Sequence, residues 1–182
     1  MDLSGKSVAI VATDYFEEVE LTQPRDELQK RGATVHVIAP QGGEIKGVHH
    51  VDPGHAVPVD KTLDEANPDD YDALVVPGGA LNADVLRMDN RARDFLRKIM
   101  DEQGKPTAVI CHGPWLLVSS HVIEGKRLTS FPTIQDDIRN AGGIWTDEEV
   151  VVDGNLITSR KPADLPAFIE AVAKALDSSA TG

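Results

Sequence analysis

The single cysteine of the chain stands where an apolar run meets the start of a helix. Residues 108–110 lead into Cys111, and His112 and Gly113 follow. This order is typical of a nucleophile elbow, in which a strained strand-to-helix turn exposes a nucleophile at the carboxyl edge of a sheet. The helix N-terminus is expected to lower the thiol pKa. His112 is a candidate base, although adjacent side chains in a turn often diverge. The context favours a reactive thiol over a small buried hydrophobe.

A glycine pair ends a second apolar run. Gly78 and Gly79 follow residues 73–76, and glycines at such a turn let backbone N–H groups approach a ligand closely. These N–H groups, with that of His112, could form an oxyanion hole. A plain turn after a strand is the alternative.

Three carboxylates follow the first apolar run, at Glu17, Glu18 and Glu20. Such residues are usually favourable charges in the first turn of a helix. A carboxyl group that points at a thiolate would instead have a raised pKa and could donate a hydrogen bond. The spacing leaves both Glu17 and Glu20 open as the partner of Cys111.

Three histidines lie close together in a segment that contains glycine and proline. They are His49, His50 and His55, and their spacing matches none of the usual metal-ligand patterns. The sequence also lacks a glycine-rich phosphate loop after a strand. We therefore expect no metal site and no cofactor.

The composition predicts an ordinary acidic globular protein. The chain has 182 residues, 18 Lys+Arg, 30 Asp+Glu and a net charge of -12, which is the size of one domain. We expect one domain over residues 1–182, with an ordered core at about 6–177. Without a basic run, nucleic acid and anionic membranes are poor partners. One cysteine fits a reducing compartment, and no signal peptide or membrane span is visible, so a cytoplasmic location is expected.

Apolar, strand-like runs alternate with helical patterns along the chain, which predicts an open α/β sandwich with functional loops at the carboxyl ends of its strands. Strands are predicted at residues 8–12, 34–39, 73–76 and 107–110, with hairpins at 48–59 and around 153–155. Helices are predicted at residues 19–32, 91–100, 115–118, 134–141 and 165–176, followed by a frayed tail at 178–182.

Taken together, these segments resemble the PfpI/ThiJ superfamily of class I glutamine-amidotransferase-like proteins, and most closely its PfpI-like intracellular cysteine protease subgroup. The matching segments are residues 16–20, 77–79, 108–114, 129–132 with Asp136 and Asp137, 149–155 and 159–165. The resemblance spans residues 8–176. It implies a flavodoxin-like, three-layer α/β/α sandwich with a mostly parallel sheet and a small antiparallel hairpin.

The resemblance also implies roles for the site residues. Cys111 would be the nucleophile, and His112 the base. Glu20, with Glu17 in support, would be the inward carboxyl group that contacts Cys111. Gly79 and His112 would supply the N–H groups of the oxyanion hole.

Two further residues are weighed on the same basis. In PfpI-type oligomers, an acid from a neighbouring subunit orients the histidine. The nearby acid here is Asp84, one position later than in the protease form. Asp84 is therefore a candidate catalytic residue, and the sequence leaves open whether it completes a protease-like triad. Trp115 either narrows the pocket towards small substrates or packs in the core or at an interface.

The function implied is that of a stress-associated, cysteine-dependent enzyme of the glyoxalase or deglycase type. Cys111 would attack a small carbonyl compound such as methylglyoxal without metal or glutathione. The alternatives are an intracellular cysteine peptidase, a redox sensor that works through oxidation of Cys111, and a small flavodoxin-like binding domain. The resemblance implies a homodimer and allows a higher oligomer.

Overall fold

A seven-stranded, mostly parallel sheet forms the centre of the protein in a computed structural model that describes residues 1–178. The strands of this part of the chain are β1 (Ser7–Val11), β2 (Phe16–Glu17), β3 (Thr34–Ala39), β4 (Glu44–His49), β5 (Asp52–Pro58), β6 (Lys61–Thr62), β7 (Ala73–Val76), β8 (Thr107–Ile110), β9 (Arg127–Leu128), β10 (Ile144–Trp145), β11 (Val151–Asp153) and β12 (Leu156–Ser159). The order in the central sheet is β11-β12-β8-β7-β1-β3-β6.

Helices cover both faces of this sheet. The α-helices of the described residues are α1 (Glu18–Lys30), α2 (Ala80–Leu86), α3 (Asn90–Arg97), α4 (Pro114–Ser119), α5 (Gln135–Asn140) and α6 (Leu165–Ser178). Short 3₁₀ turns occur at Pro68–Asp70, Pro132–Ile134 and Pro162–Asp164, and a π-helical turn at Lys98–Glu102 continues α3. None of the helices within residues 1–178 is long and apolar enough to cross a membrane.

Alternate residues of the central strands enter two separate cores. Val8 and Ile10 of β1 pack with residues of α1 and α6, whereas Ala9 and Val11 pack with residues of the helices on the other face. A strand buried on both faces reads as a continuous apolar run because both sets of side chains leave water. The predicted three-layer α/β/α sandwich is confirmed.

The two predicted hairpins have different places in the fold. β11 and β12 pair antiparallel at the end of the central sheet, as the Asp153-Gly154-Asn155 turn predicted. β4 and β5 also pair antiparallel, but they begin at Glu44 and join β2 in a separate three-stranded sheet. Phe16 and Glu17 pair with β4 directly before α1, so this second sheet is attached to the start of α1.

The helices after the glycine pair and at the end of the described chain differ from the prediction. α2 follows the glycine pair, where the sequence suggested only a turn. The last helix continues past residue 176 to Ser178, which removes Ser178 from the predicted frayed tail. The rest of that tail, residues 179–182, lies outside the described residues.

Candidate active site at the carboxyl edge of the sheet

Cys111 occupies the turn between β8 and α4, the strand-to-helix position that the sequence predicted. Its φ is 64°, a left-handed conformation that is uncommon for a residue with a side chain. Two neighbouring segments hold this turn in place. The N–H of Cys111 donates to the carbonyl of Ser159 at 3.1 Å, and its own carbonyl accepts from the N–H of Phe131 at 2.8 Å. Left-handed residues that are held in this way often occur at functional sites.

Glu20, and not Glu17, lies against Cys111. α1 turns Glu20, Leu21, Pro24 and Leu28 into the protein, and the Glu20 side chain is completely buried. Its Oε1 accepts a hydrogen bond from the N–H of Gly78 at 2.9 Å, whereas its buried Oε2 has no hydrogen-bond partner among the described residues. Burial raises the pKa of Glu20 to about 8, although the Gly78 N–H and the Cys111 thiol act in the opposite direction.

Glu17 has a different position. Its carboxylate accepts the backbone N–H of His50, at 3.1 Å to Oε2, and it forms part of the wall of an open cleft. Glu17 therefore lies beside the candidate site but faces the β4–β5 hairpin.

The glycine pair is required by close packing around Cys111. A Cβ atom on Gly78 would lie 2.5 Å from Cys111 Cβ and 2.6 Å from Glu20 Oε1. Gly79 has a φ of +93°, and a Cβ atom there would lie 2.4 Å from the carbonyl oxygen of Tyr15. The backbone N–H groups of Gly79 and His112 both donate to the Cys111 sulfur. The two groups that the resemblance assigns to an oxyanion hole thus converge on the thiol.

The pKa of the Cys111 thiol is raised, contrary to the sequence prediction. Burial is the largest cause, and the charge of Glu20 adds to it, whereas the N–H groups of Gly79 and His112 act in the opposite direction. The free-energy cost of burying two negative charges side by side exceeds the stabilisation that the dipole of the short helix α4 gives to a thiolate. A protonated Glu20 removes that repulsion and has a proton to donate to the sulfur, so the pair shares a single negative charge at most near pH 7.

His112 contacts Cys111, although adjacent side chains often diverge. Its Nδ1 lies 3.3 Å from Sγ, because the ring is stacked on Phe131 with the centroids 4.9 Å apart. Trp115 packs edge-on against the same ring at 5.4 Å. Burial lowers the pKa of His112, so the ring is neutral at pH 7 and able to accept a proton. Trp115 supports His112 rather than forming part of the cleft wall.

Asp84 does not reach His112 within one chain. It lies exposed on α2, and within residues 1–178 no hydrogen bond joins its carboxylate to the histidine. The other side of the imidazole, Nε2, lies 3.5 Å from Thr133 Oγ1.

A cleft of about 960 Å³ opens beside Cys111 and His112. The β4–β5 hairpin forms one wall, and Tyr15 and Phe131 contribute aromatic surface. Cys111 itself is only 7% exposed, so little of its surface is open to a ligand in the cleft. This access suits a small reacting group.

Asn82 is a supporting residue that the sequence reasoning missed. It is completely buried, and its amide donates to the carbonyls of Pro77 and Gly78 at 3.1 and 3.0 Å while it accepts the N–H of Thr13 at 2.8 Å. Asn82 therefore ties the glycine turn to the end of β1. The sequence does show a polar amide among the apolar residues after Gly79. It pointed to no role because this segment was not predicted to be a helix.

The histidines that the sequence analysis considered as metal ligands do not stay together. His49 and His55 both contact the carboxylate of Glu18, whereas His50 lines the cleft.

Comparison with known proteins decides the family. A sequence model of the DJ-1/PfpI family matches residues 6–175. This chain belongs to the DJ-1/PfpI family. Its relatives in that family include Protein/nucleic acid deglycase 2 from Escherichia coli, which is 47% identical over 167 residues that cover 90% of this chain and 94% of that protein. Deglycase PfpI from Pyrococcus furiosus is 44% identical over 169 residues, 93% of this chain and 98% of that protein.

The solved structures agree. DJ-1beta from Drosophila melanogaster superimposes with a TM-score of 0.86 at 30% sequence identity, over 97% of this chain and 91% of that one. The resemblance to the PfpI/ThiJ superfamily and the fold that it implied are both confirmed for this DJ-1/PfpI-family protein.

Proposed function

We propose that this DJ-1/PfpI-family protein is a cysteine-dependent enzyme of the deglycase or glyoxalase type that acts on small reactive carbonyl compounds, with Cys111 as its nucleophile. The observation that carries this proposal is the convergence of four groups on one sulfur atom. The Glu20 carboxyl group, His112 Nδ1 and the N–H groups of Gly79 and His112 all surround Cys111 Sγ at the bottom of the cleft. The names of its deglycase relatives support the same reaction class.

The first step is addition of sulfur to an aldehyde. The Cys111 proton passes to His112 Nδ1, a carbon–sulfur bond forms, and the carbonyl oxygen becomes a hydroxyl group on a hemithioacetal. The N–H groups that donate to the sulfur also stand close to the oxygen as it gains charge. Glu20, held protonated by burial, supplies a hydrogen bond without adding a second negative charge.

Conversion of the hemithioacetal to lactate moves one C–H and one O–H hydrogen to the neighbouring carbonyl group. After it has given the Cys111 proton to the new hydroxyl group, His112 removes the hydrogen of the hemithioacetal carbon, and the neighbouring carbonyl oxygen is protonated to give an enediol. The hydroxyl group on the sulfur-bearing carbon then loses its proton and the neighbouring carbon gains one, which gives a thioester of lactate on Cys111. Water then cleaves the carbon–sulfur bond, lactate leaves, and the thiol is restored. One methylglyoxal and one water give one lactate, so no oxidant, metal or glutathione is consumed.

Hydrolysis of peptides is less well supported by the geometry. It needs a well-oriented histidine to protonate the leaving amine, and within one chain Asp84 does not orient His112. Peptide release from casein by the purified oligomer, at a rate that matches or exceeds carbonyl turnover, would favour the peptidase function.

Lactate formation from methylglyoxal tests the proposed function. We expect the wild-type protein to form lactate without glutathione, and Cys111→Ala to lower the rate at least about 10³-fold, since it removes the nucleophile. His112→Ala is expected to lower kcat by about 10²-fold as a lost base. His121→Asn, which changes an exposed histidine that has a φ of 58°, is the matched control and should keep full activity. Equal rates for Cys111→Ala and wild type would overturn the proposal.

We also propose that the protein forms a homodimer through the exposed side of α2. Leu81 and Val85 of α2, and Met88 in the turn after this helix, are 58%, 53% and 75% exposed, which is unusual for three apolar residues so close together. Leu81 also lines the cleft, so a second copy on this face would border the site. Asp84 lies between these residues, where the resemblance places an acid that acts across a subunit interface.

A further inference from the structure

A buried carboxylate and two imidazoles form a separate cluster on the second sheet. Glu18 is the first residue of α1, His49 ends β4, and His55 lies in β5. One donor atom from each of the three lies within 4.8 Å of the other two. Glu18 is 7% exposed, whereas the side chains of His49 and His55 are 50% and 88% exposed.

The two carboxylate oxygens of Glu18 have different surroundings. Oε1 accepts hydrogen bonds from both the ring and the backbone of His55, at 2.8 and 3.2 Å. Oε2 is buried and has no hydrogen-bond partner among the described residues, although His49 Nε2 lies only 2.5 Å away. Oε2 therefore faces the half-exposed His49 ring. If that ring turns outward, a cation has room between the oxygen and the imidazole nitrogen.

The charge around the cluster suits a cation. The net charge of -12 favours cations in general. Asp52 stands directly opposite His49 in the hairpin and adds local negative charge.

We propose that Glu18, His49 and His55 bind a divalent transition-metal ion of the zinc type. Two imidazoles and one carboxylate are a ligand set that Zn²⁺ accepts, with water in the fourth position. Bond lengths of about 2.0–2.2 Å place tetrahedral ligand atoms about 3.3 Å apart. The exposed side chains of His49 and His55 need only small rotations to reach that spacing. This proposal revises the prediction from sequence that the chain has no metal site.

The metal would join the β4–β5 hairpin to the start of α1. His50, Pro53 and Gly54, which lie between the two histidine ligands in the chain, form part of the cleft wall. A bound ion would therefore hold one wall of the cleft in place and stabilise the folded protein in proportion to its affinity. The site does not include Cys111, and the carbonyl chemistry proposed above does not depend on it.

Zinc titration in a Cys111→Ala background tests the proposal. This background removes the thiol, which with His112 could otherwise hold zinc. The chelator-treated protein is titrated with Zn²⁺ by calorimetry, and one ion per chain is expected with a Kd in the micromolar range or below. His49→Ala, His55→Ala and Glu18→Gln should each weaken binding at least tenfold.

The matched control is His50→Asn in the same background. His50 lies next to His49 but outside the cluster, and asparagine tolerates its φ of 61°. We expect its Kd to stay within twofold of the parent. Equal loss with His50→Asn, or unchanged one-to-one binding in a His49→Ala/His55→Ala double variant, would overturn the assignment. Absence of one-to-one binding in the parent would overturn it as well.

Two measurements separate loss of the site from loss of the fold. Without metal, the circular dichroism of His55→Ala should match that of the parent, and its Tm should be only slightly lower, because Glu18 Oε1 loses the ring of His55 but keeps its backbone N–H. The zinc-dependent change is therefore measured against the metal-free Tm of each variant. With Zn²⁺, the Tm of the parent and of His50→Asn should rise, and that of His55→Ala should not. A similar zinc-dependent rise in Tm for His55→Ala would contradict the proposal.

Discussion

At the scale of single residues, Glu20 and Cys111 are both buried, and water does not stabilise two negative charges there. Glu20 is completely buried, and a thiolate beside it would repel its carboxylate. Two backbone N–H groups stabilise one charge on the sulfur. Addition to a carbonyl compound moves that charge to the carbonyl oxygen, where the proton held by His112 neutralises it, which is why addition chemistry suits the site.

The burial of Glu20 predicts a specific pH dependence of stability. The pKa of an ordinary glutamate is about 4.5, whereas that of Glu20 in the folded protein is about 8. Between these values the folded state retains a proton that the unfolded state loses, so the free energy of unfolding falls as pH rises. Glu20→Gln removes this pH-dependent contribution to the free energy of unfolding. We expect urea unfolding of chelator-treated protein to show the variant gaining about 2–4 kcal/mol relative to wild type between pH 5 and pH 8.

Glu17→Gln is the control for that measurement. It removes the other carboxylate that the sequence offered as the partner of Cys111. The Glu17 side chain faces His50 and the cleft instead of the buried sulfur. We expect Glu17→Gln to keep the wild-type slope. Parallel slopes for wild type and Glu20→Gln would show that Glu20 does not hold a proton in the folded state.

At the scale of elements, the turn between β7 and α2 allows the site to form. The end of β7 and the start of α1 meet there, since the N–H of Glu17 donates to the carbonyl of Gly78 at 3.1 Å. Asn82 in α2 binds the same carbonyl at 3.0 Å. The segment around Glu17, which is remote in the chain, thus meets the β7–α2 turn at a residue that has no side chain.

Gly78→Ala tests this convergence. The added Cβ atom would lie 2.5 Å from Cys111 Cβ, so either Cys111 or Glu20 must move. We expect the free energy of unfolding to fall by about 1–3 kcal/mol, as is typical of overpacking, together with a large loss of lactate formation.

Gly42→Ala is the matched control. Its Cβ atom would meet only Thr62 Cγ2, at 3.8 Å, which is an ordinary contact. Urea unfolding should show a change within about 0.5 kcal/mol. If Gly78→Ala were as stable and as active as Gly42→Ala, the packing around Cys111 would be looser than the structure shows.

At the scale of the whole molecule, the fold leaves Leu81 and Val85 of α2, and Met88 after it, exposed beside the cleft. A Leu81→Asp/Met88→Asp double variant should dissociate the proposed dimer, because it places charges in an apolar interface. Light scattering after gel filtration should show twice the chain mass for wild type and one chain mass for the variant.

Val152→Asp is the control for that experiment. Val152 is also apolar and 52% exposed, but it lies in β11, away from the cleft. Its variant should keep the wild-type mass. A wild-type monomer, or a dimer that survives the double substitution, would contradict the proposed interface. The cytoplasmic location and the stress-associated role remain predictions.

Sequence alone determined the features that depend on neighbouring residues. Continuous apolar runs identified the strands because strands covered on both faces need apolar residues at every position. The order of residues around Cys111 identified the strand-to-helix turn, and the ordered motifs identified the superfamily.

Tertiary structure decided the features that depend on distance between remote segments. It selected Glu20 over Glu17 as the neighbour of Cys111, because α1 presents only Glu20 to the sheet edge. It reversed the direction of the Cys111 pKa shift, since burial is a property of the packed fold. It also placed His49 and His55 on Glu18, more than thirty residues away along the chain. A local sequence pattern does not specify which remote residues come into contact, because those contacts form only when helices and strands pack.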